Sequence, residues 1–410
     1  MGADALTIGF IPLCDAAPLV VANEEGFFEQ LDLDVTLSKG HSWAHIRDQL
    51  AFGDLDAAHM LSPMVVASAL GLSPVRVSFA TAFGLNLNGN GITVSNALYK
   101  DMQDVDPWAF DARPVTAESL KVIAERRRAA GQAPITFAMV YPFSSHNYLL
   151  RYWLAASGLH PDKDVRLIVV PPPDMVRLCE SESIDGFCVG EPWNTLAVHR
   201  GIGHQIVAGS EIWPAAPEKV LGVRRDWMDD HQDVHERLVR ALMCAVQRLQ
   251  TDEGKDAAVD YLSQEQYIGL DPRHISRALG SRAHKPLASF FDPSVAGFPW
   301  HSKAAWIAMQ MVRWGQLPQS TDIDQALASS FRTDLFRLAA EAEKIRYPLV
   351  DSVIEGVHDE PWPLDDASIP MAMPQDRMMD RVSFDVTARD DYVERFPIHG
   401  LRKRGLSSSS

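Results

Sequence analysis

Leu37-Ser38-Lys39-Gly40-His41-Ser42-Trp43-Ala44-His45-Ile46-Arg47-Asp48-Gln49-Leu50 runs on, after two residues, into Gly53-Asp54-Leu55-Asp56-Ala57-Ala58-His59-Met60-Leu61-Ser62-Pro63-Met64. An apolar strand ends in a polar loop tipped by an aromatic residue, a short helix follows, and a second strand closes on Ala-His-Met. The same order begins the chain. Leu6-Thr7-Ile8-Gly9-Phe10-Ile11-Pro12-Leu13 reads as a buried strand, and Cys14-Asp15-Ala16-Ala17-Pro18 opens an apolar helix ending near Gly26-Phe27-Phe28. Strands near 6–11, 33–38, 56–59 and 75–80 alternating with helices predict an α/β unit with helices on both faces of a parallel-type sheet. In such sheets ligands sit at the carboxyl ends of the strands, where these loops converge.

The chain has 410 residues, enough for two lobes, and 46% hydrophobic against 22% charged residues describes an ordinary globular composition. Its net charge of −16 argues against a nucleic-acid surface, which needs a basic footprint. The same field repels anions, so an anion site has to be built from local donors. Cys14, Cys179, Cys188 and Cys244 lack metal or redox spacing. No window is apolar enough to span a bilayer. Met1-Gly2-Ala3-Asp4-Ala5 has no basic or apolar leader region, from which a cytoplasmic protein is expected, or a periplasmic one if a leader was trimmed.

Farther along, Asn86-Leu87-Asn88-Gly89-Asn90-Gly91 is a turn-rich crossover into Ile92-Thr93-Val94. A helix over 116–130 carries Arg126-Arg127-Arg128, read as a solvated face. Strands follow at 135–140, 165–170 and 184–190, with Ser144-Ser145-His146-Asn147 opening a helix from Tyr148 to Ser157. Val220-Leu221-Gly222-Val223 is the return strand. Residues 226–345 are mostly helical, Val234–Thr251 being the clearest amphipathic segment. The expected domains are 1–92 (first part of lobe 1), 93–218 (lobe 2) and 219–345 (second part of lobe 1). An irregular wrap over 346–400 follows, in which Trp362, Phe384, Tyr392 and Phe396 need burial, and 401–410 is a disordered tail.

Several loop tips carry hydrogen-bond donors. Trp43 offers an indole N–H, a pure donor, although a lone tryptophan is ordinarily core. His146 lies at a helix start, either as a surface cap or as a ligand group near free backbone donors. Gly190 allows close backbone approach after strand 184–189, or is a plain turn glycine. Pro171 shapes a loop wall without an N–H to offer. Asn90 supplies an amide. Lys219, just before the return strand, would by composition be a surface lysine. Catalysis finds little support: no G-x-S-x-G elbow, dinucleotide fingerprint, H-E-x-x-H or paired C-x-x-C is present. No metal or cofactor is expected: His41, His45 and His59 are close in sequence, but no helical i, i+4 pair among them converges with a carboxylate as a metal site requires.

Taken together, Gly9–Phe28, Leu33–Leu50 and Gly53–Met64 resemble the N-terminal signature of the nitrate- and bicarbonate-binding family of bacterial solute-binding proteins. The family's pattern is matched at Trp43 in Ser-Trp-Ala, at His146 in Ser-His-Asn-Tyr-Leu-Leu-Arg-Tyr-Trp-Leu-Ala-Ala-Ser-Gly, at Gly190 in Val-Gly-Glu-Pro-Trp-Asn and at Lys219 in Pro-Glu-Lys-Val-Leu-Gly. The resemblance covers about residues 6–340. It implies a two-lobed periplasmic-binding-protein-like fold of type II, with two crossovers and a cleft between the lobes. Nitrate binders of the family carry lysine at the position of Lys219 where bicarbonate binders place an acid, so the resemblance implies nitrate or nitrite. Asn90 departs from the glutamine of transport-type members, a shorter reach for the same amide.

The start at Met1 together with this resemblance gives the expectation of a cytoplasmic sensor of the NasS type. Such a sensor holds an ANTAR-type, NasT-like antiterminator protein and releases it on ligand binding, touching neither nucleic acid nor membrane itself. The alternatives are a periplasmic component of a nitrate ABC transporter and, more remotely, an enzyme like the pyrimidine synthases of thiamine biosynthesis, whose cysteine-rich cluster is absent here.

Overall fold

A computed structural model describes residues 3–280 and 289–400. Both the start at Met1 and the serine tail 401–410 lie outside the described residues. The first sheet contains β1 (Asp4–Phe10), β2 (Leu33–Lys39), β3 (Ala57–Leu61) and the short β4 (Phe79–Ala80). The chain then passes through β5 (Leu87–Asn88) into a second sheet built from β6 (Asn90–Ser95), β7 (Thr136–Met139), β8 (Arg166–Val169), β9 (Gly186–Gly190) and β10 (Gly203–Ala208). It returns to the first sheet as β11 (Lys219–Arg224). The strand orders are β2-β1-β3-β11-β4 and β10-β6-β9-β7-β8. Two lobes joined by two crossings follow, as the sequence implies.

Each sheet is parallel except where a crossing strand enters. β1 runs parallel to β2 and β3, and β7 runs parallel to β8 and β9. β11 is antiparallel to β3, and β6 is antiparallel to β9. An antiparallel strand begins where its neighbours end. The first residues of the two crossing strands, Lys219 and Asn90, therefore lie at the carboxyl edges of their sheets, opposite Leu61 and Gly190. Every residue of β3 is buried, as expected of a strand flanked on both sides and covered on both faces.

Local chemistry sets the helices that reach these edges. In helix Trp43–Phe52 the buried residues Trp43, Ile46 and Leu50 recur at helical spacing and face the sheet. Ser42 Oγ accepts the His45 N–H at 3.3 Å, and Gly53, at φ 84°, ends the helix in the left-handed conformation that glycine adopts without strain. The helix anticipated from Tyr148 instead spans Ser145–Ala156. Ser144 is extended and its Oγ accepts the Asn147 N–H at 3.0 Å, so the first turn starts three residues earlier and includes His146.

Other expectations need adjustment. The strand expected over 75–80 pairs only through Phe79 and Ala80, because β11 offers partners to those two residues alone. β10 was not anticipated; its polar Gly-His-Gln opening reads as a turn, while Ile206 and Val207 are buried. Arg127 and Arg128 are not merely solvated: they pair with Asp185 at 2.9 Å and Asp164 at 2.6 Å. All four cysteines are free.

Helices Gln232–Arg248, Asp252–Leu262, Pro272–Leu279, His301–Arg313, Asp324–Ser330 and Thr333–Ala342 occupy the stretch expected to be helical. In the C-terminal wrap Phe384, Tyr392 and Phe396 are buried, and the half-buried Trp362 stacks on His358 with ring centroids 4.1 Å apart. The wrap is tied to both lobes. The Tyr152 hydroxyl meets Asp380 at 2.7 Å, the Trp306 N–H donates to Tyr392 at 3.0 Å, and buried Lys303 bridges Glu355 at 2.8 Å and the Ala215 carbonyl at 2.9 Å.

Candidate functional site

The carboxyl edges of the two sheets face each other, and a buried polar cluster lies between them. Lys219 is fully buried, with its ammonium 2.8 Å from Asp15 Oδ2 and hydrogen-bonded to Glu218 Oε2. Asp15 comes from the turn after β1. Its other oxygen is 3.1 Å from His59 Nε2 on β3. The Lys219 ammonium also sits 5.6 Å from the Trp43 ring centroid, and Trp43 meets His59 edge-on with centroids 5.3 Å apart. These groups form the lobe 1 wall.

The second lobe supplies His146, whose Nε2 is 3.8 Å from Glu218 Oε2. Ser145 Oγ donates to the Pro217 carbonyl at 2.7 Å and so fixes the helix start against the returning chain. Gly190 lies in the middle. A Cβ placed there would meet Leu13 at 3.4 Å, Asp15 at 3.6 Å and His146 at 3.7 Å, so its backbone faces both walls. Asn90 is opposite Gly190 in the β6–β9 ladder, which puts its side chain on the same face of the sheet.

The donor supply is unusual. Trp43 Nε1, both ring nitrogens of His146, both amide atoms of Asn90 and Glu218 Oε1 are buried without a hydrogen-bond partner among the described residues. Buried polar groups are nearly always paired, so such a group of exceptions from both lobes marks a place built for hydrogen-bonding to something else. Two capped helices, Trp43–Phe52 and Ser145–Ala156, point their N-termini at the same region, and their dipoles favour negative charge there.

The ionisation states follow from burial and neighbours. Burial disfavours charge on Asp15, yet the Lys219 ammonium and the His59 ring hold its carboxyl far below the ordinary range. Burial pushes Glu218 up; Lys219 opposes the rise and Asp15 adds to it. For Lys219, burial is outweighed by Asp15 and Glu218, and the amine is held above its ordinary value. His146 is driven well down by burial and by Lys219, and His59 is lowered by burial, so both rings are neutral near pH 7.

Trp43, Asn90, His146, Gly190 and Lys219 are thus brought to one place. Pro171 is half-buried just after β8, and its carbonyl accepts the Asp174 N–H at 3.1 Å. That loop reaches lobe 1 through Asp174, 3.4 Å from His41. Sequence reasoning passed over Asp15 and Glu218, and weighed His59 only as a metal ligand. A carboxylate beside a lysine, as in Glu218-Lys219, reads as a surface pair until the fold buries it. Trp43, expected in the loop, is the first residue of its helix. Among the described residues no group of three or more His, Cys, Asp or Glu side chains could hold a metal ion, and no helix is long and apolar enough to cross a membrane.

Comparison with known proteins agrees with this architecture. Residues 2–263 match the model of the NMT1-like family. The chain belongs to that family. Within it the chain falls among the nitrate- and bicarbonate-type solute-binding proteins. It is 34% identical over 355 residues to the nitrate/nitrite binding protein NrtA of Synechococcus elongatus, covering 82% of this chain and 77% of that one. It is 35% identical over 345 residues to the nitrate import ATP-binding protein NrtC of Synechocystis; the match takes in 81% of this chain but only 49% of that longer relative. The crystal structure of the periplasmic nitrate-binding protein NrtA from Synechocystis superposes with a TM-score of 0.80 at 30% identity, over 97% of this chain and 99% of that one. The alkanesulfonate-binding protein SsuA of Xanthomonas axonopodis, at 17% identity and a TM-score of 0.55, shares the fold; the match covers 83% of this chain and 98% of that one.

Proposed function

We propose that the chain binds nitrate or nitrite between its two lobes and serves as the solute-binding component of an anion import system. The observation that carries this reading is the buried Lys219 ammonium surrounded by unpaired donors from both lobes, Trp43 and Asn90 among them. A flat oxyanion offers only acceptor oxygens, so it needs several N–H donors and one cation to offset its desolvation. Trp43, His146, Asn90 and Lys219 are such a set, and Gly190 lets the ligand approach the backbone. Pro171 contributes shape to the rim. The relatives named as nitrate binders support the ligand, and their transport names favour import over the sensor role. A periplasmic location fits that role, with lobe boundaries near 92/93 and 218/219.

A titration calorimetry series with nitrate, nitrite, bicarbonate and sulfate tests the ligand. Nitrate and nitrite should bind and sulfate should not. The sensor reading, in which the ligand releases an ANTAR-type antiterminator, is tested separately by a pull-down of such a partner with and without nitrate. A complex that nitrate dissociates would move the role from import to sensing without changing the site.

A further inference from the structure

The buried cluster holds one ammonium against two carboxylates. Lys219 contacts both Asp15 and Glu218, and no other cation among the described residues pairs with them: the nearby Lys303 ammonium is committed to Glu355 at 2.8 Å and to the Ala215 carbonyl. With both carboxylates ionised the cluster already carries one net negative charge, and an incoming anion would make two. A second uncompensated charge in a site of this burial is prohibitive unless a proton enters with it.

We propose that Glu218 takes up a proton from solvent as the anion binds, so that the site captures an anion and a proton together. The proposal rests on the anion-binding reading of the same site. The proton bonds to a Glu218 carboxylate oxygen, the carboxylate becomes a neutral acid, and the new O–H can donate to the ligand where the ionised group would repel it.

The geometry selects Glu218 from the groups that surround it. Asp15 keeps two favourable contacts, Lys219 at 2.8 Å and His59 at 3.1 Å, so its charge is stabilised. Glu218 shares the same ammonium, has its Oε1 unpaired, and lies 3.8 Å from a neutral His146. From the remaining neighbouring elements it faces Ser145 on the lobe 2 helix and Cys188 on β9, both uncharged. Glu191, which precedes the lobe 2 helix Trp193–His199, also has its Oε1 unpaired and is pushed up to about 6 by burial, but its Oε2 accepts the Thr195 N–H at 3.1 Å and it forms no ion pair with Lys219 among the described residues. Burial and the Asp15 charge already push the Glu218 carboxyl upward before any ligand arrives. A bound anion adds a second push of the same sign.

Nitrate carries no proton at any ordinary pH, so its capture draws one from solvent.

Calorimetry of nitrate binding in two non-anionic buffers of different ionisation enthalpy counts the protons taken up. The wild-type chain should take up close to one proton per nitrate, and its affinity should fall as pH rises, by up to about tenfold per pH unit. Glu218→Gln preserves shape and should take up none, with affinity nearly independent of pH. Circular dichroism checks its fold, and the wild-type proton count stands without any variant. Nitrate binding without proton uptake in the wild-type chain overturns the proposal while leaving the ligand reading intact. Uptake that persists in Glu218→Gln but vanishes in His146→Gln puts the proton on the imidazole and also overturns it. Absence of any nitrate or nitrite binding refutes the ligand reading and this proposal together.

Discussion

Replacing Lys219 by alanine should separate the two tasks of the buried ammonium. Lys219 is 0% exposed and bonds Asp15 at 2.8 Å as well as Glu218, so the truncation leaves two buried carboxylates facing each other without a cation. Breaking a buried ion pair on one side costs about 3–5 kcal/mol of stability. The loss should depend on pH in a defined direction. In the wild-type chain Asp15 has a depressed pKa, so its contribution is present above the ordinary carboxylate range and is lost only as pH falls through the depressed value. In the variant, burial and mutual repulsion act without opposition and raise both carboxyls. Groups with raised folded pKa values stabilise below their unfolded pKa, and that contribution is lost as pH rises. The deficit should therefore be largest near pH 7.5 and shrink toward about pH 5. Urea midpoints at both pH values give the comparison. Nitrate affinity should fall by about 2–5 kcal/mol, roughly 30- to 5,000-fold, by calorimetry. A deficit equal at both pH values would refute the ionisation argument, and unchanged nitrate affinity in the folded variant would remove Lys219 from the site. Adding Asp15→Asn and Glu218→Gln to the variant should restore much of the stability and none of the binding, since an uncharged cluster no longer needs a cation.

Three further outcomes are expected. Trp43→Phe keeps the ring beside His59 but deletes the unpaired N–H, so nitrate affinity should drop by about 1.5–3 kcal/mol, the worth of a hydrogen bond to a charged group; calorimetry together with intrinsic fluorescence checks this. Gly190→Ala has its nearest neighbour at 3.4 Å, so thermal melting should change little, whereas nitrate binding should weaken at least about tenfold because the methyl group enters the space between Asp15 and His146. Lys303→Ala leaves Glu355 buried with the Ser302 hydroxyl but without its cation and should cost about 3–5 kcal/mol, with limited proteolysis showing faster cleavage within 346–400 while the polar cluster itself is untouched.

How much of this molecule was legible beforehand varies by element. The strands ending near Phe10, Lys39, Leu61 and Met139 were readable because apolar runs closed by polar loops are local patterns, and Val220–Val223 was readable as a return strand for the same reason. β10 was missed because it is an edge strand whose first residues need no apolar character: His204 is exposed. The start of the lobe 2 helix was misplaced by three residues because either serine at 144 or 145 could cap it, and only the backbone of Ser144 turned out to be extended.

The amino-acid sequence by itself determined the alternation of strands and helices and the types of donor at the strand ends, because each depends on neighbours within one or two turns of chain; the two crossings came from the family resemblance. Tertiary structure alone decided the electrostatics. Asp15, His59, His146 and the Glu218–Lys219 pair come from four separate segments of the chain, and their charge states are sums over all of those partners and over the water excluded by both lobes. A lysine beside a glutamate is a surface pair in most contexts. Here two opposed sheets bury it, raise the glutamate's carboxyl and tie the lysine to two carboxylates at once.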